Sequence, residues 1–173
     1  MTTKQIPNIL SGSRYLAGLV CLLLVWHACW VAASVVIGLA VFSDLADGYL
    51  ARRLNAVSPL GGLLDHSADA VFVTLALTGL ALQAIITWWL PPLIIIAFSQ
   101  YMLDSRAHRG YPLRASQLGR YNGIAYYVLT ALGIGLQLTP FHESGNACLS
   151  FGAWLLVGTT TLSIVDRATA RFR

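Results

Sequence analysis

Residues 43–69 read SDLADGYLARRLNAVSPLGGLLDHSAD and join two long apolar stretches of the chain. Upstream, no charged residue occurs between Arg14 and Asp44, and downstream none occurs between Asp69 and Asp104. A membrane-spanning helix needs roughly 20 predominantly apolar residues. This segment therefore predicts a helical hairpin within a membrane, with its acidic residues inside the apolar phase.

The composition of the whole chain supports the same class of protein. Of its 173 residues, 57% are hydrophobic and only 10% are charged, whereas a soluble domain carries roughly 25% charged residues. This deficit argues against a soluble enzyme, a disordered chain and a nucleic-acid-binding protein. The length favours a single domain over residues 1–173. Six helices are predicted, at about residues 12–26, 29–53, 61–83, 87–109, 117–138 and 146–168.

The basic residues predict how these helices are oriented. All eleven fall at the N-terminus, the 2–3 loop, the 4–5 loop or the C-terminus, which share one side of a six-helix bundle. Cytoplasmic loops of membrane proteins are enriched in Lys and Arg. We therefore predict an all-α integral protein of the cell's inner membrane. It would have six transmembrane helices, a short N-terminal interfacial segment and both termini in the cytoplasm.

The four aspartates of residues 43–69 are predicted to face one another. Asp44 and Asp47 are three residues apart, and Asp65 and Asp69 are four apart, so each pair shares a helix face. The short connection makes the two helices antiparallel neighbours, which brings the pairs to similar depth. Since an ionised side chain in the bilayer centre costs at least about 2.5–3.5 kcal/mol, these side chains should point into the bundle.

Converging carboxylates need cations between them. Oxygen ligands of this kind suit Mg²⁺, Mn²⁺ or Ca²⁺, and two divalent ions would neutralise all four acids, as in many phosphate-transfer sites. Gly48 leaves room for a ligand, and Arg52 adds a forked donor suited to a diphosphate. The residues therefore predict a metal-dependent site for a phosphate ester.

The spacing of these residues resembles a known signature. The run D-x2-D-G-x2-A-R-x8-G-x3-D-x3-D is typical of the CDP-alcohol phosphatidyltransferase family. In this chain it covers residues 44–69 and is complete. Its positions are filled by Asp44, Asp47, Gly48, Ala51, Arg52, Gly61, Asp65 and Asp69.

The resemblance implies an enzyme. Members of this family are membrane homodimers that transfer a substituted phosphate from a CDP-alcohol to a second alcohol and release CMP. For this chain the implied substrates are CDP-diacylglycerol and a polar alcohol, bound among membrane lipids at a site facing the cytoplasm. Two Mg²⁺ ions, with Mn²⁺ as a possible substitute, are implied as cofactors.

The resemblance also implies a role for each signature residue. Asp44, Asp47 and Asp65 would bind one metal, and Asp44, Asp65 and Asp69 the other. Asp69 would be the general base that deprotonates the acceptor hydroxyl. The implied CDP-binding residues are Asn8, Ser11, Asp44, Gly48, Ala51, Arg52 and Gly61.

The acceptor stays open at this stage. Residues 6–14, IPNILSGSR, resemble the opening of bacterial phosphatidylglycerophosphate and cardiolipin synthases, which favours glycerol 3-phosphate or a related glycerol-containing alcohol. Synthases of that type typically carry D-P-x-A-D-K where residues 65–70 read DHSADA, and Arg-Glu where this chain has Ser99-Gln100. Inositol phosphate, serine and phosphatidylglycerol therefore remain alternatives. Candidate acceptor-binding residues are Arg14, Arg106 and Arg120.

Other classes of protein remain as alternatives. A cation transporter would need acidic residues distributed through the depth of the membrane, whereas these lie on one hairpin. A structural salt-bridge network is opposed by the excess of acids over the neighbouring bases Arg52 and Arg53. A catalytically silent homologue is opposed by the intact signature.

Overall fold

A computed structural model of the chain describes residues 6–53, 59–104 and 117–170. These residues are almost entirely α-helical, which confirms the predicted all-α class, and they form six helices. The helices are α1 (Ile6–Trp26), α2 (Trp30–Arg53), α3 (Pro59–Leu82), α4 (Leu90–Asp104), α5 (Gln117–Leu136) and α6 (His142–Ala170).

The helix starts differ from the predicted ones where polar residues or proline open a helix. α6 begins at His142 rather than near residue 146. Its first turn is polar and carries Glu143, whose charge is favourable at a helix N-terminus. α3 begins at Pro59, a residue suited to the first helical position because its missing amide has no intrahelical partner there. Residues 6–11, which precede the predicted first helix, continue into α1 without a break.

α1 and α3 end in the same way. Ala28 (φ 55°) and Ala84 (φ 56°) adopt the left-handed conformation just after the two helices. At each end the amide of the following residue bonds back five residues, from Cys29 to Leu24 and from Ile85 to Leu80. This is the Schellman arrangement, which satisfies carbonyls that the helix leaves without partners. Both helices therefore stop at a defined residue.

α1 packs closely against α3 at two glycines. A Cβ atom at Gly18 would lie 2.9 Å from the Phe72 Cα, and one at Gly79 would lie 2.9 Å from the Val25 Cβ. Small residues at such contacts let helix backbones approach closely, as membrane helices commonly do. The approach fixes α1 against α3 along their length, including the ends that carry Arg14 and Asp69.

The outer surface of the bundle is apolar. Two segments, Gly61–Leu82 and His142–Thr169, are long and apolar enough to cross a membrane, and shorter apolar helices accompany them. Large hydrophobic side chains are exposed on all six helices, Leu16, Phe42 and Leu162 among them. Contiguous exposed apolar surface of this kind marks contact with a membrane or another protein.

Four of the helices surround an interior space. α3 contacts α4 and α5, and α6 also contacts α4 and α5, so the four form a ring. α1 and α2 pack against each other and extend the bundle from this ring, α1 through α3 and α2 through α5. The ring and the α1–α2 pair therefore meet along α3 and α5, and α3 is the helix that carries Asp65 and Asp69.

Candidate active site

Three aspartates from two helices meet at one end of the bundle. Asp44 on α2 and Asp65 and Asp69 on α3 each offer a carboxylate oxygen within 4.8 Å of the others. The convergence predicted for these residues is therefore present. We call this set the aspartate cluster.

An arginine from a third helix lies among these carboxylates. Arg14 on α1 donates from Nη1 to the Asp44 Oδ1 at 2.7 Å. The same guanidinium donates from Nη1 to the Asp69 Oδ1 and from Nη2 to the Asp65 Oδ1. Arg14 is only 1% exposed, whereas the three aspartates are partly exposed. Three helices therefore meet at one buried cation, and buried charges are stable only when they are paired in this way.

Neighbouring hydroxyl groups support the cluster. The Tyr127 hydroxyl, on α5, donates to the Asp69 Oδ1 at 2.8 Å. The Ser11 hydroxyl lies 3.4 Å from the Asp65 Oδ1. One residue after Arg14, the Tyr15 hydroxyl lies 2.6 Å from the Ser67 Oγ and ties α1 to α3 at this level. These contacts hold the carboxylates of α3 in fixed positions.

The donor set fits a hard divalent cation. The cluster consists of carboxylates only, and Mg²⁺, Mn²⁺ and Ca²⁺ prefer such oxygen ligands to nitrogen or sulfur. Together with Arg14 the three carboxylates carry a formal excess of negative charge, which a divalent cation would offset. The residues therefore fit the metal that the sequence predicts at this position.

A cavity of about 600 Å³ adjoins the aspartate cluster, lined by residues of the four-helix ring and by Asp44. We call it the chamber. Asp44, Asp69 and Tyr127 form its wall on the cluster side, and Val73, Ile94 and Phe98 are among its apolar lining. The chamber therefore has a charged wall and a largely apolar interior.

Two arginines also line the chamber, from helices on either side of it. Arg120 lies in the first turns of α5 and Arg167 near the end of α6. The Arg167 guanidinium carbon lies 5.0 Å from the centroid of the Tyr101 ring, within range of a cation–π contact. The Tyr101 ring also stacks with that of His66, at 6.5 Å. Both arginines therefore place positive charge at the chamber.

The chamber also shows that successive helices alternate in direction. Its polar residues come from the N-terminal halves of α3 and α5 and the C-terminal halves of α4 and α6. Arg14 and Asp44 place the start of α1 and the end of α2 at the same end. In the described part of the chain the acidic residue of the opposite end is Glu143, so these residues form no acidic pathway along the bundle of the kind that a cation transporter requires.

Gln100 occupies one of the positions where synthases of the resembling type carry Arg-Glu. Its side-chain amide donates to the Ile164 carbonyl at 3.0 Å. In this chain the position therefore links α4 to α6 and helps to close the ring. His66 follows Asp65, at the position where those synthases typically carry proline. In this chain its side chain lines the chamber.

The predicted site residues divide into described and undescribed groups. Ser11, Arg14, Asp44, Asp65 and Asp69 are together, and Arg120 lines the chamber. Gly48 and Gly61 lie on the adjoining ends of α2 and α3. Arg106 lies outside the described residues, and for four further positions the helical backbone is described but the side chain is not. These are Asn8, Asp47, Ala51 and Arg52.

Sequence reasoning missed two features of this site. The sequence suggests Arg14 for acceptor binding, but its guanidinium contacts the aspartates. The available signal was that Arg14 and Asp44 are the charged residues at the two ends of one long uncharged stretch, where each could pair with the other. Arg167, which the sequence assigns only to the group of basic residues near the C-terminus, lines the chamber. Its distance in sequence from the signature left no local signal, since only the packing of α6 against α4 and α5 brings it there.

Fold and site together define a helical-bundle protein with a cluster of carboxylates at one end that could hold a metal ion. A sequence profile of the CDP-alcohol phosphatidyltransferase family matches residues 4–165. The chain belongs to this family, and the resemblance found in the signature is confirmed.

Curated relatives fall into two groups by name. Over 120 residues the chain is 37% identical to a cardiolipin synthase (CMP-forming) of Streptomyces coelicolor, covering 62% of this chain and 54% of that protein. Over 146 residues it is 32% identical to a CDP-diacylglycerol–glycerol-3-phosphate 3-phosphatidyltransferase of Cereibacter sphaeroides, covering 77% and 66%. A protein of the same name from Pseudomonas fluorescens is 36% identical over 95 residues, covering 53% and 49%. The matches thus span about half to two thirds of these relatives.

Proposed function

We propose that this chain is a transferase of phospholipid synthesis. It moves a phosphatidyl group from CDP-diacylglycerol to an acceptor alcohol, glycerol 3-phosphate first among the candidates, and releases CMP. The observation that carries the proposal is the aspartate cluster at the wall of a chamber that two arginines also line. Family membership and the names of the relatives supply the donor and the acceptor.

The proposed cofactor is a pair of Mg²⁺ ions, with Mn²⁺ able to replace them. Asp44, Asp65 and Asp69 would hold them together with Asp47, whose place on α2 is one turn from Asp44. When bound, the ions would polarise the diphosphate of the donor and stabilise the charge that develops on the leaving CMP.

Asp69 is the proposed general base. Among the described residues, the side chains that donate to Asp69 end on its Oδ1: Tyr127 and Arg14. Oδ2 is then the oxygen that takes the proton of the acceptor hydroxyl. The resulting alkoxide attacks the phosphorus that carries diacylglycerol, the phosphoanhydride bond breaks, and CMP leaves with the bonding electrons. Tyr127 holds the carboxylate at the chamber wall while this proton moves.

The chamber is the proposed acceptor site. Arg120 and Arg167 offer forked donors to the phosphate of glycerol 3-phosphate, a recognition for which arginine is well suited. A hydroxyl of an acceptor held there would lie beside Asp69, which shares the chamber wall. Arg106, outside the described residues, remains a proposed third contact. Arg14, which the sequence also suggests for the acceptor, contacts the aspartate cluster and is not among the lining residues of the chamber.

The nucleotide is proposed to lie beside the cluster, where α1, α2 and α3 adjoin. Ser11 is nearly buried, close to Asp65, and Gly48 and Gly61 lie on the helix ends that adjoin it. The remaining proposed CDP contacts are Asn8, Asp44, Ala51 and Arg52, as the family resemblance implies.

A second acceptor, phosphatidylglycerol, is favoured by the apolar lining of the chamber. Val73, Ile94 and Phe98 would suit part of a lipid better than a small polar alcohol. The Streptomyces coelicolor relative, named as a cardiolipin synthase, supports the same alternative. The chemistry at Asp69 is unchanged, and only the acceptor differs.

The membrane topology is part of the proposal. Six spanning helices, with both termini and the site on the cytoplasmic side of the inner membrane, are supported by the basic residues Arg14, Arg53, Arg120 and Arg167 at one end of the bundle. The exposed tryptophans Trp26, Trp88 and Trp89 at the other end fit an interfacial belt.

A homodimer, implied by the family, would be tested by the mass of the detergent-solubilised protein in light scattering.

The acceptor is tested by product analysis. Purified protein in detergent is incubated with CDP-diacylglycerol, Mg²⁺ and one acceptor at a time, and the lipid product is identified by mass spectrometry. With glycerol 3-phosphate as the acceptor, we expect phosphatidylglycerophosphate as the product. Cardiolipin from phosphatidylglycerol, with no product from glycerol 3-phosphate, would establish the second candidate. Absence of a phosphatidyl product with every acceptor, including serine and inositol phosphate, would contradict the proposed function.

A further inference from the structure

The position of Arg14 raises a question that the proposed reaction does not answer. Its guanidinium is buried and contacts Asp44, Asp65 and Asp69, the residues proposed to hold divalent metal ions. Arginine is rarely fully buried unless it is paired. Here it pairs with three carboxylates from two other helices, so it is the counter-ion of the aspartate cluster in this structure.

The guanidinium and a metal ion compete for the same oxygens. The contacts that Arg14 makes with Asp44, Asp65 and Asp69 are made to their Oδ1 atoms. A divalent ion among these carboxylates would lie within a few ångströms of the guanidinium, where two positive charges repel strongly in a medium of low dielectric constant. Metal binding and the present position of Arg14 therefore oppose each other.

The side chain, rather than its helix, is the part that can move. Gly18 packs against the Phe72 backbone one helical turn after Arg14. The hydrogen bond between Tyr15 and Ser67 fixes the neighbouring residue to α3. α1 is thus held against α3 by the residues that directly follow Arg14, whereas an arginine side chain has several rotatable bonds. A change of its rotamer removes the guanidinium from the cluster and leaves the helices in place.

We propose that Arg14 is an internal substitute for the metal ions. In the metal-free protein it partly offsets the negative charge of the aspartate cluster, and divalent ions bind only as they displace it. It thereby keeps the α1–α2–α3 junction stable inside the bilayer before metal arrives, and it weakens metal binding. This inference rests on the proposed metal site. It makes Arg14 a positioning residue that acts through the carboxylates.

The test compares metal affinity and stability in variants of the full chain. Arg14→Met keeps most of the side-chain volume and removes the charge. Arg53→Met is the matched control, because Arg53 is exposed at the same end of the bundle and contacts the Tyr49 hydroxyl. Free Mn²⁺ is measured by electron paramagnetic resonance during a titration without nucleotide. Thermal unfolding is measured in EDTA and in saturating Mn²⁺.

We expect Arg14→Met to bind Mn²⁺ at least about tenfold more tightly than the wild type, which corresponds to 1.4 kcal/mol. Its unfolding temperature should fall in EDTA and return close to that of the wild type in Mn²⁺. Arg53→Met should bind Mn²⁺ as the wild type does. Equal or weaker Mn²⁺ binding by Arg14→Met, or an equal loss of stability with and without metal, would overturn the proposal.

Arg14→Lys keeps the test decisive if the methionine variant does not fold. Lysine retains the charge but lacks the fork that reaches three carboxylates, so its Mn²⁺ affinity should exceed that of the wild type by a smaller factor. Affinity equal to that of the wild type would count against the proposal. If neither the wild type nor any variant binds Mn²⁺, the proposed metal site itself is wrong. That result differs from Mn²⁺ binding whose affinity does not change when Arg14 is replaced, which would overturn only the role of Arg14.

Discussion

The two sides of α3 differ in how their polar groups are satisfied. On the side of α1 and α2, Arg14 and the aspartates contact one another directly, and the helix backbones touch at Gly18. On the side of α4, α5 and α6, the polar groups line an open cavity of about 600 Å³. The first arrangement is fixed by protein contacts alone, whereas the second leaves space for a ligand. One helix therefore carries charged residues paired within the protein on one side and borders an open chamber on the other, and Asp69 belongs to both.

Substitution of Asp69 should have the largest effect, since it acts on both sides at once. Asp69→Asn keeps the size of the side chain but removes the proton acceptor, and a general base typically contributes 10²–10⁴-fold to a rate. We expect kcat to fall by about that factor. Binding of CDP, measured by calorimetry, should persist. Asp166→Asn, near the end of α6, is the control and should retain full turnover. A fully active Asp69→Asn enzyme would refute the assignment of the base.

Substitution of the chamber arginines should weaken acceptor binding without changing metal binding by the aspartate cluster. Loss of a hydrogen bond to a charged group costs about 1.5–3 kcal/mol. Arg120→Gln and Arg167→Gln should each raise the KM for glycerol 3-phosphate by about tenfold to 100-fold. Mn²⁺ affinity should be unchanged in both. Arg53→Gln provides the surface control. If KM stays constant in both chamber variants, the acceptor does not bind there.

Tyr127 links the chamber to the wall through its hydrogen bond to Asp69. Tyr127→Phe removes the hydroxyl and little else, and a hydrogen bond to a charged group is worth about 1.5–3 kcal/mol. We expect kcat to decrease by about tenfold, with a smaller change in KM, because the carboxylate loses a positioning contact. Tyr121→Phe, at an exposed position of the same helix, is the control. An unchanged kcat would show that Tyr127 does not position the base.

A pair of glycines compares the packing on the two sides most directly. A Cβ atom at Gly18 would lie 2.9 Å from the Phe72 Cα, whereas one at Gly123, in the chamber lining, would meet nothing within 4 Å. Gly18→Ala should lower the free energy of unfolding by about 1–3 kcal/mol through overpacking. Gly123→Ala should raise it by up to about 1 kcal/mol, because alanine favours the helix. Thermal unfolding in detergent measures both changes. Equal effects of the two substitutions on the free energy of unfolding would contradict the proposed difference in packing.

The fold and half of the site could be read from local sequence. Long uncharged stretches gave six helices, because a helix in an apolar phase needs little beyond length and apolarity. The spacing of Asp65 and Asp69 and a short connection back to Asp44 predict their convergence, which the structure shows. The extensive packing of α2 against α3 that the prediction assumed is not seen among the described residues, where α2 packs mainly against α1 and α5 instead. The polar start of α6 was missed because apolarity alone does not reveal a first turn such as His142–Gly145.

The remaining half depends on contacts between distant helices. Arg14 reaches the aspartates because α1 packs tightly on α3, and Arg167 lines the chamber because α6 closes the ring with α4 and α5. No spacing within one helix encodes either contact. They follow from the complementary shapes of whole helices, to which glycines such as Gly18 contribute at single points.

The central claim is that carboxylates gathered within the bundle hold divalent ions for phosphatidyl transfer. The most direct measurement is release of labelled CMP from CDP-diacylglycerol by purified protein with glycerol 3-phosphate, first in EDTA and then with Mg²⁺ restored. The account predicts no release in EDTA, release on addition of Mg²⁺, and none at any Mg²⁺ concentration in Asp65→Asn. Metal-independent release, or normal release by Asp65→Asn, would contradict it.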